Sequence, residues 1–186
     1  EPIGTSHFES TIPMSVKRGT SAMVSILSSP TDGEVVYFYD AESARGNQTF
    51  PFRAVRVKNP TDSALESGPV TVFGEGKFIG EGLTDAIPAR AVAFVPFALD
   101  KQIVVESKEE ESDRIARILT VQRGVVSTEM QHKRRKVLVF HNRTDEKAVV
   151  YIRRTVPKGY SLVAPATSER LGAAHLFRIE VPGSGK

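Results

Sequence analysis

The sequence contains no cysteine, no tryptophan and only four histidines among its 186 residues. Without cysteine there are no disulfide frameworks, thiolate zinc sites, iron–sulfur clusters or cysteine nucleophiles. The compartment stays open, because a chain of this size buries a sufficient core in either redox setting. No apolar run approaches the roughly 20 residues that a membrane-spanning helix needs. Sustained helical periodicity is also scarce. At 40% hydrophobic and 25% charged the chain is too apolar to be wholly disordered, and it has the length of one large all-β domain or two small ones. Beginning at Glu1 rather than Met, with no basic and then apolar leader, it reads as a processed product or a piece of something longer.

What is present is strand patterning. Short runs rich in Val, Ile, Phe and Tyr alternate with Gly, Pro, Asn and Asp clusters. They predict strands over 22–27, 35–39, 50–58, 70–73, 77–79, 92–97, 102–106, 115–121, 136–141, 148–154 and 176–181. Within 50–58 the apolar phase sits on Phe50, Phe52 and Ala54 and then moves to Val55 and Val57, as a β-bulge would produce, and Pro51 marks an edge or a strand entry. Val137–Phe140 is apolar on both parities and calls for cover on both faces. Phe177, Ile179 and Val181 alternate with Arg178 and Glu180, the pattern of a half-buried strand. Ser107–Leu119 reads either as a helical turn or, preferably, as a charged loop entering a strand. Gly74-Glu75-Gly76 predicts a hairpin turn; with Gly80 its spacing fits neither the dinucleotide fingerprint nor the P-loop.

Charge is distributed unevenly. The net charge is +3, but residues 1–104 hold 9 Lys and Arg against 12 Asp and Glu, whereas 105–186 hold 16 against 10. The sign change supports two sandwich-like, immunoglobulin-like β units, 1–104 and 105–186, packed or consecutive, dividing near 104–113. One large domain is the alternative. Any surface that seeks anions belongs to the second half.

Local signs of chemistry are few. His7, His132, His141 and His175 lie at no spacing that pairs ligands on one strand face. Glu109-Glu110-Glu111 with Asp113 reads as a solvated linker, and Ser28-Ser29 lacks the strand–elbow–helix context of a nucleophile. Asn47-Gln48-Thr49 and Asn142-Arg143-Thr144 match the glycosylation acceptor pattern, Asn59-Pro60-Thr61 is barred by its proline, and such short matches arise by chance. No cofactor and no metal are expected.

The best local feature is basic: Lys133, Arg134, Arg135 and Lys136, followed by Arg153 and Arg154. If strands 136–142 and 147–154 pair about the turn Arg143–Glu146, Lys136 opposes Arg153 and Arg135 opposes Arg154. Like charges so placed destabilise a sheet, so compensation is required. The plain reading is solvent, or the 109–113 acidic run folding back beside them. The sharper reading is an anionic partner: an acidic protein, a polymer or a lipid headgroup. Nucleic acid is the least favoured, because aromatic platforms among these residues are sparse.

Arg18–Leu27, Pro69–Phe73, Phe78–Gly82, Val95–Asp100, Lys136–Arg154, Lys158–Tyr160 and Phe177–Pro182 form an ordered string from about Ile12 onward. It resembles the C-terminal β-rich domain of unknown function in mucoidy-inhibitor-A-like bacterial proteins. The resemblance implies a β-sandwich module, an upstream β domain and coiled coil elsewhere, a periplasmic or extracellular setting, and no catalytic residues to carry over. The expected role is a non-enzymatic scaffold or interaction module that offers sheet edges and loops to a protein partner. A carbohydrate-active or hydrolytic domain with a cleft between the units is one alternative. Anion binding by the basic segment 133–154 is the other.

Overall fold

A computed structural model describes residues 13–25, 27–165 and 168–185. His7, Ile12 and Ile26 lie outside the described residues. The chain is all-β: ten strands and, among the described residues, no helix. The strands are β1 Gly33–Tyr39, β2 Phe52–Lys58, β3 Gly68–Gly74, β4 Lys77–Thr84, β5 Val92–Leu99, β6 Ile103–Gln122, β7 Val125–Asn142, β8 Ala148–Arg154, β9 Glu169–Leu171 and β10 Ala174–Val181. They form a six-stranded sheet in the order β5-β2-β1-β8-β10-β9 and two two-stranded ribbons, β3-β4 and β6-β7.

The expected division near 104–113 falls inside β6. The main sheet draws strands from both halves, joined where β1 pairs with β8 in parallel. Pairing in the sheet is otherwise antiparallel.

Strict alternation gives the main sheet two apolar faces. On one, Tyr39, Val150, Ile152 and Val181 pack against Ile103, Val105 and Phe140 at the base of the β6–β7 ribbon. Tyr39 meets Phe140 edge to face at 5.4 Å and donates its hydroxyl hydrogen bond to the Gln48 carbonyl. On the other face, Phe38 stacks on Phe94 at 4.8 Å, Tyr151 follows at 5.0 Å, and Arg56 lies over the Tyr151 ring.

Several details match the pattern in the sequence. Phe177, Ile179 and Val181 face inward while Arg178 and Glu180 are exposed. Val137–Phe140 is half-buried to buried on both parities. Pro51 immediately precedes β2, where a missing N–H costs no ladder bond. The ladder irregularity expected in 50–58 occurs at Arg53/Ala54, but the register skips Phe97, so the extra residue belongs to β5. Glu75 and Gly76, both at positive φ, make the two-residue β3–β4 turn. The β3–β4 ribbon then crosses close to β5: a Cβ on Gly82 would overlap the Pro96 carbonyl oxygen, and one on Gly80 would lie 2.6 Å from the Phe97 ring.

Two expectations need correction. The predicted strand 22–27 does not form: its described residues 22–25 and 27 are exposed and pair with nothing in the sheets. Ser107–Leu119 is neither helix nor loop but the middle of β6, because its charges find partners across the ladder.

The three Asn-x-Thr triplets are turn caps. Asn59 Nδ2 donates to the carbonyls of Ser63, Ile87 and Pro88, while its Oδ1 accepts from the Thr61 N–H and hydroxyl. Asn142 repeats this with Glu146, Val181, Pro182 and Thr144. Asn47 accepts from the Thr49 and Phe50 N–H groups. Asn59 and Asn142 are 1% and 2% exposed, so their amides are committed to the fold.

Asn59→Ala removes one of two hydrogen bonds from each of three carbonyls, which keep the Thr61 hydroxyl, the Leu65 N–H and the Ala91 N–H, and it leaves the Thr61 N–H without its acceptor. It should cost about 3 kcal/mol in chemical denaturation. A loss below about 1 kcal/mol would show that water replaces these bonds.

Candidate interaction site on the β6–β7 ribbon

β6 and β7 form an antiparallel ribbon that runs from the buried rung Ile103–Asn142 out to the turn Arg123-Gly124. Both turn residues have positive φ, and glycine supplies the second at no steric cost. Twenty residues of strand span about 65 Å. Only the base touches the core. From Glu106 to Gln122 every residue of β6 is exposed.

Cross-strand partners share a face, which fixes what each side of the ribbon presents. The face that begins with Ile103, Val105 and Phe140 continues through three charged rungs: Glu109–Lys136 at 2.7 Å, Glu111–Arg134 at 2.6 Å and Asp113–His132 at 2.6 Å. The Lys136 ammonium holds the Glu109 carboxyl below its ordinary range, with smaller help from Arg154 and Arg134. Arg134 also stacks over Tyr160, in the segment after β8, at 5.7 Å. The opposite face is polar apart from Val125 beside the turn: Arg114 donates to Gln131, and Arg117 pairs with Glu129.

The basic residues singled out in the sequence are therefore not one hairpin. Lys133 through Lys136 lie on β7 and oppose Ser112, Glu111, Glu110 and Glu109. Arg153 and Arg154 lie on β8 and oppose Leu176 and His175 of β10. The expected pairing of Lys136 with Arg153 and Arg135 with Arg154 is overturned. The acidic run offers β7 attractive rungs that β8 does not, and the Asn142 cap turns Arg143–Glu146 into a crossing between sheets. Arg153 instead pairs with Asp40 at 2.8 Å, and Arg154 with Glu42 at 2.7 Å. Among the described residues, Lys133 and Arg135 have no carboxylate within salt-bridge distance.

Burial pushes the Asp40 carboxyl up. The Arg153 guanidinium and the backbone N–H groups of Glu42 and Ser43 outweigh it and hold the group below its ordinary 3.8.

Two further arrangements bear on chemistry. Ser168 Oγ lies 2.8 Å from His175 Nδ1, and Arg170 Nη1 lies 3.3 Å from His175 Nε2. A guanidinium only donates, so Nε2 is the acceptor and Nδ1 carries the proton toward Ser168. That tautomer cannot take a proton from the serine, as an activated nucleophile requires. A groove of about 1020 Å³ separates the β3–β4 ribbon from the main sheet; Phe38, Phe52, Phe94 and Leu83 line it, and its Asp40 and Asp85 carboxylates are paired with Arg153 and Arg45. Among the described residues no cluster of three His, Asp or Glu side chains is placed to hold a metal ion. No described helix is long and apolar enough to cross a membrane.

No family model, no curated protein and no solved structure matches the chain.

Two outcomes are expected. Lys136→Glu should destabilise by about 1 kcal/mol, and adding Glu109→Lys should restore most of the loss in a double-mutant cycle. A depressed Asp40 stabilises the fold above 3.8 and ceases to do so as pH falls below it. Arg153→Met should cost about 2 kcal/mol at neutral pH and move that acid loss to higher pH, measured by denaturation across the acid range. Superimposable pH profiles would count against the pair.

Proposed function

We propose that the protein is a non-enzymatic interaction module whose working part is the β6–β7 ribbon. The observation that carries this reading is the ribbon itself: a two-stranded arm about 65 Å long whose outer half is exposed and, among the described residues, is packed against neither apolar core cluster. An isolated two-stranded ribbon is marginal in water, and its exposed Ile115, Ile118, Leu119, Val121, Val125 and Val126 gain nothing from the body of the protein. A surface of that kind belongs to binding. The resemblance to the mucoidy-inhibitor-like domain supports the same class and adds a bacterial envelope or secreted setting.

The hydrolytic alternative draws less support from the geometry. The Ser168–His175 pair holds its proton on the wrong nitrogen, and two of the three groove carboxylates, Asp40 and Asp85 but not Glu81, are paired with arginine.

A photo-crosslinking side chain placed at Ile118 or Val121 should give a discrete adduct in cells that make the protein. The same group at Gln131, on the polar face, should give much less. Equal yields, or hydrolysis of esters or glycosides abolished by His175→Ala, would overturn the proposal.

A further inference from the structure

We propose that the outer half of the ribbon docks on an anionic lipid bilayer, laying the face formed by Ile115, Ile118, Val121, Val126 and Met130 into the membrane interface. The inference rests on the reading of the ribbon as the binding arm and names the surface it meets.

The first argument is register. Ile115 opposes Met130, Ile118 opposes Thr128 and Val121 opposes Val126. On β7 these partners are two residues apart and share a face. On β6 they are three apart, which an uninterrupted strand would send to alternate faces. The ladder skips Ala116 and Leu119, and each skip returns the next aliphatic residue to the same side. The result is one apolar face, continuous with the three charged rungs, whose five aliphatic side chains are between 45% and 65% exposed.

The second argument is charge. From the Ser112–Lys133 rung outward, residues 112–133 carry four Lys and Arg and two Asp and Glu, a net charge of +2 on the outer half of the arm. Arg123 at the turn makes no ion pair among the described residues; Lys133 and Arg135 make none either, and they lie on the face opposite the aliphatic one. Apolar burial and attraction to anionic headgroups add in interfacial binding, and the arm supplies both within one short stretch.

The third argument is size. Five such side chains form a patch of only a few hundred Å², whereas a stable dimer needs roughly 800 Å² from each partner. Edge pairing with a second copy is opposed by the two irregularities in β6, since bulges and charges blunt a strand edge. A bilayer needs neither a large matched area nor an intact edge.

The full chain should co-float with vesicles of equimolar phosphatidylcholine and phosphatidylserine at low salt. Affinity for pure phosphatidylcholine should be lower by about tenfold or more, and added salt should weaken binding. Ile118→Asp with Val121→Asp, both at exposed sites, should reduce partitioning by a further factor of about ten while leaving the unfolding midpoint unchanged. Because the chain has no tryptophan, Ile118→Trp gives a clean depth probe. Its emission should shift blue on anionic vesicles and be quenched by brominated lipid, whereas Ser127→Trp on the polar face should respond much less. Absence of vesicle binding, or equal quenching at both positions, would overturn the proposal. So would a dimer, seen by sedimentation without lipid, that the double aspartate variant dissociates. If crosslinks persist at Ile118 while vesicles are ignored, the lipid assignment fails and the reading of the ribbon as a binding arm stands.

Discussion

The burial of Ile103, Val105 and Phe140 against Tyr39, Val150, Ile152 and Val181 is the contact on which the rest of the structure depends. Among the described residues it is the only place where the long ribbon is embedded in the core, and the Asn142 cap lies at the end of the Ile103 rung. Each aliphatic or aromatic side chain buried there contributes about 1.5–3 kcal/mol. That anchorage fixes the direction in which an otherwise unsupported pair of strands leaves the body. Weakening it would disorder the arm and uncover the main sheet together.

Beyond the anchor, the two strands of the ribbon are joined by charge rather than packing. Glu109, Glu111 and Asp113 face Lys136, Arg134 and His132 on one side. Individually such exposed pairs contribute little. Collectively they do not choose a register, because a slip of one residue would still set Glu109–Glu111 against Lys133–Arg135; the buried Ile103, Val105 and Phe140 at the base do. The apolar residues at the tip are held in phase by the buried base and by the two skips in β6, and the charged segment between leaves them uncovered.

Much of the body was legible in the sequence because its strands are short, period-two and separated by turn residues. β1, β2, β5, β8 and β10 fall where Val35–Tyr39, Phe50–Lys58, Val92–Phe97, Ala148–Arg154 and Leu176–Val181 indicate. The three residues of β9 carry too little pattern to be seen. The ribbon was read as pieces: Gln102–Glu106, Ile115–Val121 and Lys136–His141 are segments of two strands whose middles are too charged to look like sheet. A signal was present all the same. The acidic run 109–113 and the basic run 132–136 stand at nearly equal distances from Arg123-Gly124, as a hairpin carrying a cross-strand ladder requires. Nothing within 133–154 marks the parting of β7 from β8: the Asn142 cap that sends β8 into the other sheet depends on carbonyls near residue 181.

The parallel contact of β1 with β8 has a kinetic corollary. The two strands are separated by more than a hundred residues, and β10 completes the central sheet later still. Closure of such distant segments is slow, whereas the ribbon zips locally from its own turn. During synthesis β1 and β2 therefore emerge with a bare edge and wait for the C-terminal strands. Closing the 103–142 ribbon shortens the effective loop between β1 and β8.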